Sequence, residues 1–231
     1  MNSERFEIDG HIPAVLYGDA SERAFLFVHG QSGCKEEAER FARIAQPAGW
    51  QVLAVDLPEH GERRDGTHLV PWEAVPELQT VFAQMKKKWR RTALYAISIG
   101  AWMSMLALKG EAPEKCLLVS PVADMTALIE SMMQWAGVTE ERLRREGEIP
   151  TNFGQTLSWK YLCWARENPA GAPCRETRVL YGENDHLVPR GVIEKFVAEN
   201  RCALTVMQGG EHWFHTEEEL AFLQQWEKES L

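Results

Sequence analysis

Residues 92–109, TALYAISIGAWMSMLALK, join two different hydrophobic patterns at Ser98. The run TALYAI is continuously apolar, which is typical of a short strand buried on both faces. The residues after Ser98 form a longer apolar segment that is typical of a buried helix. Ser98 stands two positions from Ala96 and two from Gly100, and a tight turn from strand to helix needs such small residues. The stretch therefore predicts a strand, a sharp turn at Ser98 and a helix.

The same alternation of strands and helices extends along the chain in both directions. Other apolar runs of strand length end on Gly, Pro, Ser or Asp: PAVLYG, AFLFVHG, WQVLAVDLP, CLLVSP, TRVLYGEND and ALTVMQGG. Helical patterns cover 35–48, 72–89, 99–109, 191–200 and 217–229. We therefore predict an α/β fold, a three-layer sandwich around a mostly parallel sheet of about seven to eight strands.

One segment, residues 125–168, interrupts this alternation and is called the inserted segment below. It contains no run typical of a strand and is rich in Met, Trp and charged residues. Two or three short helices separated near Pro150 and Gly154 would fit it. No repeat or linker divides the chain, so we expect a single domain over residues 1–231 that carries this insertion.

Composition excludes several classes of function. The net charge of −9 disfavours a general nucleic-acid binder and a protein held on anionic lipid by charge. The basic run KKKWRR, residues 86–91, fits the solvated end of a helix.

No apolar segment is long enough to span a membrane and no signal peptide is visible at the start, so we expect a cytoplasmic protein. Five widely spaced cysteines without a CxxC pair indicate reduced thiols.

Hydrolysis by a serine also requires a histidine to take its proton and a carboxylate to orient that histidine. His212 follows a strand and a glycine-rich loop in LTVMQGGEHWF, a better context than those of His186 and His215. Asp185 ends the strand and turn VLYGEND. By itself, Asp185 fits an ordinary turn residue or helix N-cap as well as it fits a catalytic carboxylate.

Stabilisation of the oxyanion requires backbone amides near the serine. The stretch FLFVHGQSG, residues 25–33, is a buried strand followed by a glycine-containing turn. An ordinary loop between a strand and a helix is the alternative interpretation. We expect the amide of Gln31 to act together with that of Ile99, which begins the helix after Ser98.

The order Ser98, Asp185, His212, each directly after a separate strand, unites these observations. Through HGQSG, DLPEHGER, AISIGA, GENDHLVP and GGEHWF, the chain resembles the α/β-hydrolase superfamily over nearly its whole length. The resemblance implies that Ser98 is the nucleophile, His212 the general base and then acid, and Asp185 the orienting carboxylate. It assigns the oxyanion hole to the amides of Gln31 and Ile99. It implies no cofactor.

One feature departs from the commonest pattern of that superfamily, and the position of the acid has an alternative. Ala96 replaces the first glycine of the serine motif, and alanine is small enough for the turn. Asp124, in SPVADM, follows an earlier strand, and some members take the acid from that position. We favour Asp185 because its turn is the more usual one.

The run DLPEHGER, residues 56–63, raises the alternative of a metal site. It contains three carboxylates and a histidine: Asp56, Glu59, Glu62 and His60. Their spacing matches no metal-ligand pattern, so we expect no metal and interpret the run as a structural loop beside the active site.

The inserted segment would form a small helical cap over the nucleophile, as the resemblance implies. Met132, Trp135 and Trp159 are the candidate substrate contacts, although most of the apolar side chains in this segment are expected to be ordinary packing. Adaptable Met and Trp side chains favour an acyl or aryl ester of modest size, a small-molecule substrate. The oligomeric state is not predicted.

The sequence therefore indicates a serine hydrolase of carboxylic esters. A thioesterase, an amidase or a small peptidase would use the same residues, and a noncatalytic small-ligand binder on the same fold is the alternative of a different class. Because free histidine titrates near pH 6.5, we expect activity to fall as the pH drops through about that value.

Overall fold

A computed structural model of the protein describes all 231 residues. The chain forms ten strands: β1 (Ser3–Ile8), β2 (Ile12–Tyr17), β3 (Arg23–Val28), β4 (Gln51–Val55), β5 (Arg91–Ile97), β6 (Cys116–Val119), β7 (Glu148–Pro150), β8 (Thr156–Ser158), β9 (Thr177–Gly182) and β10 (Ala203–Met207). Its α-helices are α1 (Ala38–Ala45), α2 (Pro71–Lys88), α3 (Ser98–Ala107), α4 (Met125–Ala136), α5 (Glu140–Glu146), α6 (Trp159–Glu167), α7 (Arg190–Asn200) and α8 (Glu217–Ser230). No helix has both the length and the apolar character needed to cross a membrane.

Eight strands form one sheet in the order β1-β2-β4-β3-β5-β6-β9-β10. The strands from β4 to β10 in this order pair in parallel, whereas β1 and β2 are antiparallel to their neighbours. Both faces are buried: Leu26 of β3 belongs to a cluster of 44 buried residues and Phe27 to a cluster of 20. Helices α2, α3 and α7 contribute to the larger cluster, and α1 and α8 to the smaller one. The predicted three-layer sandwich is confirmed.

Two features of the sheet and its first helix differ from the sequence-based expectations. Strand β1 was not predicted because SERFEI is mostly exposed at the edge of the sheet and has no continuous apolar run. The helix predicted over 35–48 is a short 3-10 turn, Lys35–Glu37, followed by α1. The side chain of Lys35 is buried against Asp56, and this tertiary contact sets the local geometry more strongly than helical periodicity does.

The inserted segment contains α4, α5 and α6, and also a hairpin of β7 and β8 that the sequence did not reveal. Each of these strands has only three residues, too few for an alternating pattern to be recognised. Aromatic contacts join α6 to the helices of the larger cluster. Tyr161 lies 5.9 Å, between ring centroids, from both Trp72 of α2 and Trp102 of α3. The inserted segment therefore packs against Trp102, which lies about one helical turn after Ser98 in α3.

The parallel strands bring their carboxyl ends to one edge of the sheet. Ser98 directly follows β5, and Asp185 and His212 lie in the loops after β9 and β10. Ligand sites of parallel α/β sheets form at this edge, because the loops that follow neighbouring strands meet there. The fold therefore places the three predicted side chains within reach of one another.

Candidate active site

Ser98 occupies the turn between β5 and α3 with a backbone φ of 50°, in the left-handed region. A residue other than glycine in this region is strained by about 1–3 kcal/mol, and such strain is common at functional sites. The loop after β3 is close by, because a Cβ added to Gly30 would lie 3.3 Å from Cβ of Ser98. The carbonyl of Ser98 accepts a hydrogen bond from the amide of Val122 at 3.1 Å. The serine turn is thus held from two sides.

Gly100 allows the first turn of α3 to pack directly on the end of β3. A Cβ at this position would overlap the carbonyl oxygen of His29 and lie 3.0 Å from the side chain of Val28. We expect Gly100→Ala to lower the free energy of unfolding by about 3 kcal/mol, because buried backbone would have to move. Urea denaturation measures this change.

Gly191 provides the matched control for this prediction. It lies in α7 with no atom within 4 Å of an added Cβ. Gly191→Ala is expected to leave stability unchanged or raise it by about 0.5 kcal/mol, since alanine favours the helix. Equal losses at both positions would refute the close approach at Gly100.

His212 connects the serine to a buried carboxylate. Its Nε2 lies 2.8 Å from Oγ of Ser98, and its Nδ1 lies 2.6 Å from Oδ2 of Asp185. The other oxygen of Asp185 accepts hydrogen bonds from the amides of Leu187 and Val188 at 2.8 and 2.9 Å. The side chain of Asp185 is fully buried. The structure therefore brings Ser98, His212 and Asp185 into one continuous chain of contacts.

The loops that carry Asp185 and His212 are bonded to each other. The amide of Asn184 donates to the carbonyl of Gly210 at 2.8 Å, and the amide of Glu183 donates to that of Met207 at 3.0 Å. In return, the amide of Gly209 donates to the Glu183 carboxylate at 3.0 Å. These three bonds fix the distance between the two loops before any substrate binds.

Glu219, in the first turn of α8, holds the other end of the His212 loop. Its carboxylate accepts hydrogen bonds from the amides of Glu211, His215 and Thr216 at 2.9–3.1 Å. The Thr216 hydroxyl in turn accepts from the Glu219 amide at 3.2 Å, which completes a capping box. Burial raises the pKa of Glu219, but the three amides outweigh it and lower the pKa to about 2. The loop is thus anchored on both sides of His212.

This depressed pKa predicts how stability depends on pH. The carboxyl group of an unfolded glutamate titrates near pH 4.3, so the contribution of Glu219 is complete above about pH 5 and is lost as the pH falls towards 2. We expect Glu219→Gln to lower the free energy of unfolding by about 1–3 kcal/mol at pH 7. The deficit should shrink between about pH 5 and pH 3, as followed by urea denaturation.

Glu217→Gln is the control for this series. Glu217 lies in the same first turn but is exposed, so only its interaction with the helix dipole is lost, about 0.3–1 kcal/mol. A deficit of Glu219→Gln that stays constant with pH would contradict the assignment of the charge to this anchor.

Two histidines hold the loop over residues 29–33. The Nε2 of His29 accepts from the amide of Leu57 at 3.0 Å, and the Nε2 of His60 accepts from the amide of Ser32 at 2.9 Å. Burial lowers the pKa of His29 to about 4, so this imidazole is neutral at pH 7. The two histidines thereby fix the loop to the chain after β4.

The predicted oxyanion donors lie on the two elements that meet at Ser98. The amide of Gln31 donates no hydrogen bond within the protein. Ile99 is in the first turn of α3, where amides have no partner within the helix. Gly30 brings the two elements together, since its added Cβ would also lie 3.5 Å from the Ile97 side chain. The role of both amides stays a prediction.

The acidic run after β4 is engaged in structural contacts. Asp56 accepts hydrogen bonds from the backbone amide and the ammonium group of Lys35, both at 2.8 Å, and from the amide of Glu62 at 2.9 Å. Burial lowers the pKa of Lys35, but the hydrogen bonds to Asp56 and Glu62 prevail and raise it above its usual value. This ion pair ties the start of the first helical turn to the loop after β4.

A second cluster has donor atoms close enough to hold a cation. His11, Asp65 and Glu77 each offer one such atom within 4.8 Å of the others. Arg63 already pairs with Asp65 at 2.6 Å and with Glu77 at 2.8 Å. The guanidinium therefore supplies the positive charge that these two carboxylates require.

Asp124, the alternative acid, lies elsewhere. It is exposed and caps α4, where its carboxylate accepts the amide of Ala127 at 3.1 Å. The side chain that contacts His212 is Asp185 instead.

The three candidate substrate contacts lie on the inserted segment. Met132 and Trp159 are half-buried and pack against the larger core cluster. Trp135 is 51% exposed, and its ring centroid lies 6.2 Å from that of Phe153. Their contact with a substrate stays a prediction.

A cavity of about 500 Å³ opens between the inserted segment and α7. Trp102, Met125, Arg166 and Lys195 contribute to its lining, whereas Ser98 does not. The cavity is therefore separate from the serine turn.

Sequence reasoning missed the residues that support the site. Thr216 followed three positions later by Glu219 is a recognisable capping pattern, so this anchor was accessible from the sequence. His29 stands in a quoted motif, but its partner Leu57 is 28 positions away and no local pattern connects the two.

Comparison with known proteins places the chain among the hydrolases. The profile of the alpha/beta hydrolase family matches residues 25–225. Among solved structures, the chain is similar to Est1E from Butyrivibrio proteoclasticus with bound ferulic acid, at 18% identity and a TM-score of 0.77 over 98% of this chain and 96% of that one. A search of curated proteins finds no match.

Two further structures show the same fold. An esterase from Pyrococcus furiosus has 19% identity and a TM-score of 0.66, over 99% of this chain and 90% of that one. A serine hydrolase without lid from Xanthomonas campestris has 16% identity and a TM-score of 0.68, over 99% and 93%. The profile match covers most of the sequence, and the predicted superfamily is confirmed. The chain belongs to the alpha/beta hydrolase family.

Proposed function

We propose that the protein is a serine hydrolase that cleaves a carboxylic ester of modest size through an acyl-enzyme intermediate. The observation that carries this proposal is the chain of contacts from Ser98 Oγ to His212 Nε2 at 2.8 Å and from His212 Nδ1 to Asp185 Oδ2 at 2.6 Å. Serine hydrolysis requires this constellation on any fold. Ser98 is the nucleophile, His212 the general base and acid, and Asp185 the orienting carboxylate.

The geometry supports a two-stage reaction. His212 Nε2 takes the proton of Ser98 while Oγ attacks the acyl carbonyl carbon, and the same nitrogen then protonates the departing alcohol. Water next attacks the acyl-enzyme with His212 as base, which releases the carboxylic acid and restores Ser98. Throughout, Asp185 accepts the Nδ1 proton in a hydrogen bond and stabilises the imidazolium.

The amides of Gln31 and Ile99 form the oxyanion hole in this proposal. Both stand on elements that pack beside Ser98, and the positive end of the α3 dipole also favours negative charge at this turn. One such donor typically contributes about 10²- to 10³-fold to kcat.

An ester is the substrate class that the comparisons favour. Of the similar structures, one is named an esterase and one is described as a serine hydrolase, and Est1E was solved with ferulic acid, an aromatic carboxylic acid. We assign the inserted segment the role of a cap, with Met132, Trp135 and Trp159 as apolar contacts for the acyl or leaving group. Thioesters and amides are the alternatives that the same triad would attack.

Hydrolysis of nitrophenyl esters from acetate to decanoate tests this assignment. A thioester and an anilide of the preferred acyl group should be measured beside it. We expect turnover of the esters with one preferred chain length, and slower turnover of the other two compounds. Faster thioester hydrolysis would identify a thioesterase, and ester binding without turnover would identify a noncatalytic binder.

A further inference from the structure

Two cysteines that the proposed reaction does not use lie in contact. Cys116 begins β6, and Cys174 lies in the chain that leads into β9. Their sulfur atoms are 3.5 Å apart, although the residues are 58 positions apart in the sequence. The pairing of β6 with β9, in which Cys116 stands opposite Thr177, fixes this approach. The contact is therefore a product of the sheet.

The two thiols have different environments. Cys116 is fully buried, and burial raises its pKa well above the usual value. Cys174 is half-buried, and the hydrogen bond to Cys116, opposed by partial burial and assisted by the Thr177 hydroxyl, lowers its pKa to about 7. A neighbouring third cysteine, Cys202, has a pKa raised to about 11, chiefly by burial. Cys174 is thus the thiol of this cluster that ionises near neutral pH.

We propose that Cys116 and Cys174 form an oxidisable dithiol that closes to a disulfide in the presence of a hydroperoxide. The Cys174 thiolate attacks one oxygen of hydrogen peroxide and breaks the O–O bond, which gives a sulfenic acid and hydroxide. The Cys116 sulfur then loses its proton, attacks the Cys174 sulfur and displaces the hydroxyl group as water. Two thiols and one peroxide give one disulfide and two waters, so the thiols lose two electrons and the peroxide gains them.

The movement that this reaction requires is small. The sulfur atoms must approach by about 1.5 Å to reach the S–S bond length of about 2.05 Å. Cys174 is outside any helix or strand, so its backbone takes part in no strand pairing, although its carbonyl accepts a hydrogen bond from the Thr177 hydroxyl at 2.7 Å. The dithiol can therefore close without a change in the sheet.

The position of the bond determines its effect. The disulfide would join the two points where the chain enters and leaves the inserted segment, because residues 125–168 lie between Cys116 and Cys174. Closing a loop of this length restricts the unfolded chain, and we expect the thermal unfolding midpoint to rise by about 5–15 °C.

Cys116 lies at the amino end of β6, whereas Ser98 lies beyond the carboxyl end of β5. The bond should therefore leave ester hydrolysis unchanged, and its test is independent of the proposed function.

The test is peroxide treatment of the reduced full-length protein, followed by alkylation, intact mass and peptide mapping. We expect a loss of 2 Da, a fall in alkylated cysteines from five to three, and a peptide that links Cys116 to Cys174. Reduction should reverse all three changes, and the oxidised protein should have the higher unfolding midpoint. Cys174→Ser should abolish the link, whereas Cys163→Ser, which removes a half-buried cysteine of the inserted segment, should retain it.

Three results would overturn the proposal. These are a disulfide between Cys174 and Cys202, addition of oxygen to Cys174 without any link, and a linked protein whose unfolding midpoint is no higher. Peptide mapping of the oxidised, unsubstituted protein shows which cysteines are linked even if Cys174→Ser does not fold.

Discussion

Replacing Ser98 by alanine is expected to lower kcat for ester hydrolysis by about 10⁴- to 10⁶-fold. The variant lacks the atom that attacks the acyl carbon, so only transition-state binding by the rest of the site is left. Ser98 is half-buried and the bond that its hydroxyl makes is the one to His212, so the folded state should persist. Initial rates with the preferred nitrophenyl ester, together with a urea denaturation curve, measure both quantities.

Ser104→Ala is the matched control for this prediction. Ser104 lies in the same helix, and its buried hydroxyl has no hydrogen-bond partner, so its removal breaks no bond. This variant should hydrolyse the ester within about twofold of the unsubstituted rate. If Ser98→Ala retained comparable turnover, another residue would have to be the nucleophile.

Replacing Asp185 by asparagine is expected to lower kcat by about 10⁴-fold. The amides of Leu187 and Val188 hold the oxygen of the asparagine, so its NH2 group, a donor, faces Nδ1 of His212. His212 therefore adopts the wrong tautomer, and the imidazolium loses its counter-charge. The buried position of Asp185 makes this loss large, since no solvent replaces the missing charge. The effect should appear in kcat, with KM little changed.

Asp124→Asn distinguishes the two candidate acids. Asparagine is as good an N-cap as aspartate, so the start of α4 should be preserved. We expect this variant to keep its activity within about twofold. A large loss in Asp124→Asn, with little loss in Asp185→Asn, would transfer the role of acid to the earlier strand.

The arrangement of the main sheet was predictable because its inner strands are buried on both faces. Continuous apolar runs such as TALYAI can be recognised without any partner, and the order of strands and helices then defines the layers. The convergence of Ser98, Asp185 and His212 follows from the same reasoning, because parallel strands present their carboxyl ends at one edge. These residues could therefore be named, although their distances could not.

The remaining features depend on contacts between distant residues. Strand β1 is an edge strand whose exposed residues carry charge, so its pairing with β2 leaves no apolar signal. The contact of Cys116 with Cys174 depends on the register of β6 with β9, which no local pattern encodes. Lys35 was assigned to a helix, whereas its burial against Asp56 is visible only in three dimensions.

In the proposed site, Ser98 is a nucleophile activated by His212 and Asp185. Incubation with a fluorophosphonate, read by intact mass and peptide mapping, tests it independently of the natural substrate. We expect a single adduct on Ser98 in the unsubstituted protein, none in Ser98→Ala and a much slower reaction in Asp185→Asn. An adduct on a different residue, or no adduct on a protein that is shown to be folded, would contradict it.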